Sequence, residues 1–182
     1  LDDVSMEITR GATVGLVGST GSGKSTALDL LMGLLEPTSG SVLVDGMPIV
    51  GSRRRSWQRN VAHVPQAIFL ADASLAENIA FGVPEGDVDI IRVRESARWA
   101  AIAEFIEGAP EGYDARVGER GIRLSGGERQ RIGIARAMYK RAGVLVLDEA
   151  TSALDMETEQ MVIDSIEEYG HDLTVIVVAH RL

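Results

Sequence analysis

Lys24 and Ser25 close the run Gly18-Ser19-Thr20-Gly21-Ser22-Gly23-Lys24-Ser25, which fits the pattern G-x-x-x-x-G-K-S in full. Residues of these types at this spacing can hold a chain of phosphates. Glycines at 18, 21 and 23 permit backbone conformations that a β-carbon forbids, so successive N–H groups can converge on one phosphate. A helix that starts here points its positive end at the same spot. Lys24 can then reach the β- and γ-phosphates, while the Ser25 hydroxyl takes a place in a Mg²⁺ shell. The residues from Gly18 to Thr26 are therefore the candidate contacts of a nucleoside triphosphate: Ser19, Thr20, Ser22 and Thr26 beside the glycines, Lys24 and Ser25.

Further candidates stand at the ends of apolar runs. Val144 to Leu147 ends in Asp148-Glu149. Two carboxylates at the end of a buried strand are costly without compensation. A Mg²⁺ for Asp148 and a water proton for Glu149 supply it. Gln66 follows the run Val61 to Val64 and can reach Mg²⁺ or the attacking water, because ligands collect at the carboxyl ends of strands in an open parallel sheet. His180 stands just past Thr174 to Val178, at the same sheet edge. Ser125-Gly126-Gly127 opens a helical run. Ser125 and Glu128 form a capping-box pattern, but capping does not require two glycines that weaken a first turn by up to about 1 kcal/mol each. Glycines there allow a ligand's phosphate to approach closely.

The elements that must position these residues follow from periodicity. Thr13 to Val17 reads as the strand before the phosphate loop, and Lys24 to Leu35 as a buried helix stopping before Pro37. Val4 to Ile8 alternates like a half-buried strand. Ser41 to Val44 and Asn60 to Val64 are further short strands, the first ending in the turn Asp45-Gly46. Arg53-Arg54-Arg55 reads as a solvated basic turn. From Leu70 to about Arg141 the pattern is helical rather than another strand layer, with segments Ser74 to Ala80, Val88 to Ile106 and Gly126 to Lys140. Ser74 and Glu77 match a second capping box. Met156 to Tyr169 is an amphipathic helix. Trp57, Trp99, Phe69, Phe81 and Phe105 are expected in the core, and His63 and His171 are assigned no role.

Composition narrows the class. The 182 residues are 45% hydrophobic and 25% charged, ordinary for one α/β domain. A net charge of −9 argues against a broad nucleic-acid surface, which needs clustered Lys and Arg. There is no cysteine, so disulfides and thiolate metal sites are excluded. No apolar run approaches the roughly 18 residues of a membrane helix. The chain starts at Leu1 without methionine and stops just after an apolar run, so it is expected to be a piece truncated at both ends.

Together these motifs resemble the nucleotide-binding domain of an ABC transporter, over nearly the whole chain. Gly18 to Ser25 is similar to its Walker A loop, Gln66 to its Q-loop, Leu124-Ser125-Gly126-Gly127-Glu128 to its signature, Val144 to Glu149 to its Walker B strand, Ser152-Ala153-Leu154-Asp155 to its D-loop and His180 to its H-loop. The resemblance implies a P-loop NTPase fold: a mostly parallel central sheet flanked by helices, with an inserted α-helical subdomain. Residues 1–69 and 142–182 would form the catalytic core and residues 70–141 the helical subdomain. It also implies ATP and Mg²⁺ as cofactors, with Lys24, Gln66, Glu149 and His180 catalytic, Ser25, Gln66 and Asp148 at the metal, and Ser125, Gly126, Gly127 and Asp155 at the nucleotide.

Val117-Gly118-Glu119-Arg120-Gly121 is similar to a segment of exporter-type domains, as are Phe69-Leu70 and Glu77-Asn78-Ile79. An exporter or flippase is therefore expected, powered by ATP hydrolysis at the cytoplasmic face of a membrane. Its partners would be a second nucleotide-binding domain, docked head to tail, and a transmembrane domain reached through Gln66 to Phe81 and Val117 to Gly121. The family's adenine-stacking aromatic would precede Leu1. The rival is a soluble ABC-type ATPase of DNA repair, chromosome structure or translation. The coiled-coil members of that class separate phosphate loop and signature by very long insertions, whereas Gly18 and Leu124 lie within one 182-residue chain.

Overall fold

A computed structural model describes residues 1–118, 123–169 and 172–179. His180, His171 and the stretch Glu119 to Gly121, all considered above, lie outside the described residues. The chain divides into two compact units, Leu1–His63 with Ala142–Asp148 and Asp172–Leu182, and Val64–Arg141 with Glu149–His171.

The first unit is built on a parallel sheet. Strands β1 (Thr13–Val17), β8 (Thr174–Ala179), β7 (Val144–Asp148) and β4 (Val61–Val64) lie in that spatial order. β1 and β7 both run parallel to β8, with Gly15 opposite Val177 and Val146 opposite Ile176. Parallel neighbours so distant in sequence require long crossovers, which the intervening helices supply. Val144 to Leu147 are all buried, as a continuous apolar strand covered on both faces should be. Leu28, Met32, Val61, Val144, Val146, Ile176 and Val178 form the core, with Leu16, Leu31 and Trp57 against it. Each such burial is worth about 1.5–3 kcal/mol.

Two expectations for this unit change. Val4 to Ile8 joins no ladder, and Val4 and Met6 stay 54% and 51% exposed. Alternation marks a face that could be buried, but a strand also needs a neighbour for its N–H and C=O groups. Helix α1 (Lys24–Leu31) ends four residues short of the expected Leu35 and buries one face only, at Ala27 and Leu28. Gly33 takes φ 69, and the N–H groups of Gly33 and Leu34 donate to the carbonyls of Leu30 (3.0 Å) and Asp29 (2.7 Å). This is a Schellman stop, and it leaves Leu34 and Leu35 outside the helix and exposed.

β2 (Leu43–Val44) and β3 (Met47–Pro48) pair about Asp45 and Gly46, both at positive φ. The three arginines fall in helix α2 (Ser52–Arg59), not in a turn. Tertiary bonds explain the difference: the Trp57 indole N–H donates to the Leu31 carbonyl (2.6 Å), the Gln58 amide to that of Gly33 (2.9 Å), and Arg54 pairs with Glu36.

The second unit is mainly helical: α3 (Leu75–Ile79), α4 (Ile90–Trp99), α5 (Ala103–Glu107), α6 (Gly126–Lys140) and α7 (Met156–Tyr169). A small antiparallel ribbon, β5 (Ala73–Ser74) with β6 (Arg116–Val117), interrupts the expected all-helical stretch. The run Val88 to Ile106 is two helices, because Ala101 turns to φ 52 between them. Both capping boxes form, at Ser74 with Glu77 and at Ser125 with Glu128. α3 and α4 pack on α6, and α4 also meets α5 and α7, burying Leu75, Ile79, Val93, Ile106, Ile132, Ile134 and Val162 completely.

Phe69 and Phe81 depart from the expected core placement. They are 68% and 51% exposed and meet edge to face at 6.5 Å, with Arg136 lying 4.5 Å over the Phe81 ring. Polar bonds hold this loop in place of ring burial: Arg136 donates to the carbonyls of Phe69 and Asn78, and the fully buried Asn78 side chain bonds the backbone of Ala71 and Ser74. Among the described residues no helix is long and apolar enough to cross a membrane.

Candidate functional site

In the first unit, β1 runs directly into the phosphate loop and α1. Gly21 and Gly23 stand at φ 81 and 93, where other residues are strained, and Gly23 is the residue that caps α1. Gly18 leaves room for Ser22 instead, since a β-carbon there would lie 2.6 Å from the Ser22 hydroxyl oxygen and force that side chain to turn. The Lys24 ammonium folds back over the loop, donating to the carbonyls of Gly18 (2.6 Å) and Ser19 (3.1 Å). α1 has no side-chain cap and no acidic residue in its first turn. The N–H groups of that first turn are therefore not capped by its own side chains, which suits the positive end of the helix to hold a phosphate. Ser25 and Thr26 are exposed on that first turn.

Asp148 is the last residue of β7 and partly exposed. Among the described residues no cluster of three or more His, Asp or Glu could hold a metal by itself. Ser25 and Asp148 instead offer a hydroxyl and a carboxylate, hard oxygen donors that suit Mg²⁺ when phosphate oxygens and water complete its shell. His63 feels both Asp148 and Asp29, but burial outweighs them and pushes the imidazole below its ordinary pKa.

The second unit gathers the other candidates. Gln66 Nε2 donates to Glu149 Oε2 at 2.7 Å. Glu149 stands at φ 52, an uncommon conformation for a residue with a side chain, and its carbonyl accepts from the Ser152 N–H at 3.1 Å. Asp155, expected at the nucleotide, accepts from Thr158 with both oxygens, from the N–H at 2.9 Å and the hydroxyl at 2.8 Å. Those bonds, the backbone one foremost, hold its carboxyl below the usual range.

At the head of α6, Ser125 and Glu128 cap reciprocally at 3.3 and 2.7 Å. A β-carbon on Gly127 would come within 3.1 Å of the Ala153 carbonyl, an intramolecular reason for that glycine beyond any phosphate. A cleft of about 460 Å³ opens between Ser125, Gly127, Arg131, Leu154 and Asp155.

Gln130 is a residue the motifs did not single out. It is only 5% exposed and bonds the 149–153 backbone. The available signal was a polar residue four positions before Ile134, within the apolar stripe of α6, where a buried carboxamide must find partners.

Comparison with known proteins adds to this geometry. The family profile described as "ABC transporter" matches residues 1–152. The chain belongs to the ABC transporter family. Among its relatives, the beta-(1→2)glucan export ATP-binding/permease protein NdvA of Rhizobium meliloti is 48% identical over 180 residues, covering 99% of this chain and 30% of that protein. The ATP-dependent lipid A-core flippase of Methylococcus capsulatus is 48% identical over 182 residues, covering 100% and 30% respectively. A bacterial Atm1-family ABC exporter with ATP bound superposes with a TM-score of 0.90 at 40% identity, over 98% of this chain and 31% of that one. The chain thus spans about 30% of the length of the curated relatives it matches. Its α/β fold with a parallel sheet is that of the ABC family's ATP-binding part.

Proposed function

We propose that this chain is the ATP-binding and ATP-hydrolysing part of an ABC exporter working at the cytoplasmic face of a membrane. The observation that carries the reading is the phosphate loop: Lys24 poised over Gly18 and Ser19 at the head of an α1 that has no side-chain cap. Export is the role given in the names of two of the relatives above, and the third is named a flippase.

The N–H groups from Ser19 to Thr26 and the Lys24 ammonium bind and orient the β- and γ-phosphates. Mg²⁺, when bound, neutralises phosphate charge, and Ser25, Asp148 and Gln66 would hold it. Water attacks the γ-phosphorus, the bond to the β–γ bridging oxygen breaks, and ADP leaves. Glu149 takes the water's proton on its carboxylate, which Gln66 helps to orient through its bond to Oε2. His180, by resemblance, supports the γ-phosphate.

Ser125, Gly126 and Gly127 would meet the γ-phosphate held by Lys24 of a second such domain docked head to tail, with Asp155 at the same junction. Gln66 to Phe81 and Val117 to Gly121 would meet the transmembrane part. The exposed Phe69 and Phe81 pair supports that assignment, since apolar surface left open in this way suits a protein partner. In the whole protein reconstituted in lipid vesicles, ATP turnover and ATP-driven cargo movement should both be lost in Lys24→Ala. Glucan and lipid A-core, named for two relatives, are the first cargoes to test. Unchanged hydrolysis in that variant rejects the reading.

A further inference from the structure

Gln130 takes no part in the reaction just described, yet its surroundings require an explanation. It lies in the second turn of α6 among buried Ile132, Ile134, Ala135, Ala137 and Met138, where a carboxamide is costly unless bonded. All its bonds go to one segment. Oε1 accepts from the Ala153 N–H at 2.9 Å, and Nε2 donates to the Ser152 hydroxyl at 3.2 Å and, weakly, to the Glu149 carbonyl at 3.5 Å. That segment begins at the left-handed Glu149, a conformation that persists only where its surroundings over-determine it. One turn earlier on α6, Gly127 packs against the Ala153 carbonyl, which a β-carbon there would meet at a tight 3.1 Å. α6 therefore grips this backbone at two points.

We propose that Gln130 is a positioning residue for ATP hydrolysis: it locks the Glu149–Ala153 backbone in the conformation that aims the Glu149 carboxylate, and ties that backbone to the helix headed by Ser125 and Gly127. The inference rests on the reading of Glu149 as the proton acceptor. A phosphate engaging Ser125 would then be sensed at Glu149 through a rigid carboxamide. Nucleotide affinity would not pass through Gln130, because the bonds of Lys24 run to its own loop.

The test uses the whole transporter in membranes, with kcat and KM for ATP measured separately. Gln130→Met keeps length and volume but removes every bond. It should lower kcat about 10- to 100-fold, the order expected for a misplaced catalytic group, and leave KM within about twofold. Hydrogen exchange should rise in peptides spanning residues 149–155 and stay unchanged in those from the C-terminal half of α6. Ile132→Val, a purely packing change on the same helix, should lower the melting temperature and leave kcat alone. Ser152→Ala, at an exposed position, removes one partner without disturbing the core and should lower kcat several-fold; it decides the matter if Gln130→Met does not fold. A Gln130→Met protein with unchanged kcat, or one whose kcat falls only with general exchange across α6, overturns the proposal. Turnover retained in Glu149→Gln overturns the reading of Glu149 itself, whereas turnover lost there and kept in Gln130→Met overturns this inference alone.

Discussion

The phosphate loop of the first unit and the Glu149–Asp155 segment of the second hold their polar groups in opposite ways. Lys24 bonds carbonyls five and six residues away, on a loop shaped by two left-handed glycines and a strand-to-helix junction. Glu149 is bonded by Gln66 from 83 residues away, and the backbone beside it by Gln130 from α6. Local backbone geometry therefore makes the first region. Side chains delivered by distant elements make the second. The first should fail when its glycines or Lys24 change, and the second when any of several remote partners changes.

The largest expected effect is on turnover. Glu149→Gln keeps the size of the side chain but cannot take a proton, and a positioned base contributes about 10²–10⁴-fold. In the whole transporter, ATP hydrolysis should fall by that order while ATP binding stays, because no phosphate-loop bond is touched. Loss of binding together with turnover would mean that the two regions are not separable as described.

The complementary break is Lys24→Ala. Bonds to charged groups are worth about 1.5–3 kcal/mol, so ATP affinity should fall by roughly 10- to 100-fold in a calorimetric titration with Mg²⁺. Affinity within twofold of the parent would remove Lys24 from the phosphates.

Ser125→Ala sharpens the comparison, because Ser125 belongs to both a cap and a candidate phosphate contact. Loss of the cap costs about 1 kcal/mol of stability. Turnover should drop further than that, and mixing Ser125→Ala with Lys24→Ala protein should restore part of the activity through mixed pairs. Mixed protein as inactive as its two parents, with both folded, would refute a site shared between domains.

The smallest effect is electrostatic. The Ser74 hydroxyl and then its N–H hold Glu77 below its ordinary pKa, and Thr158 does the same for Asp155. A depressed carboxylate pKa contributes stability that is present at neutral pH and lost as pH falls through the folded-state value. Asp155 is exposed and Glu77 is still partly open to solvent, so the contribution is slight. NMR titration should find Glu77 ionised below the usual carboxylate range and returning toward it in Ser74→Ala. A Glu77 titration unmoved by that change would assign the shift to another cause.

The residues themselves determined whatever rests on short-range rules. The strand at Thr13 to Val17, the start of α1 at Lys24, the full extents of α6 and α7 and both capping boxes follow from periodicity, glycine and N-cap chemistry acting within a few residues. Gln66, Asp148 and Glu149 could be singled out because each stands at or just past the end of an apolar strand. Long-range competition decided the rest. Val4 to Ile8 alternates like a strand but finds no ladder partner, and the arginines at 53 to 55 become helical because Trp57 and Gln58 anchor α2 to the end of α1. Phe69 and Phe81 stay exposed because Arg136 and Asn78 hold their loop through polar bonds that no local pattern announces. Gln130 reaches Ala153 only in the folded unit. A side chain's type and its neighbours in sequence set what it can bond, but which distant backbone it meets depends on the packing of whole helices.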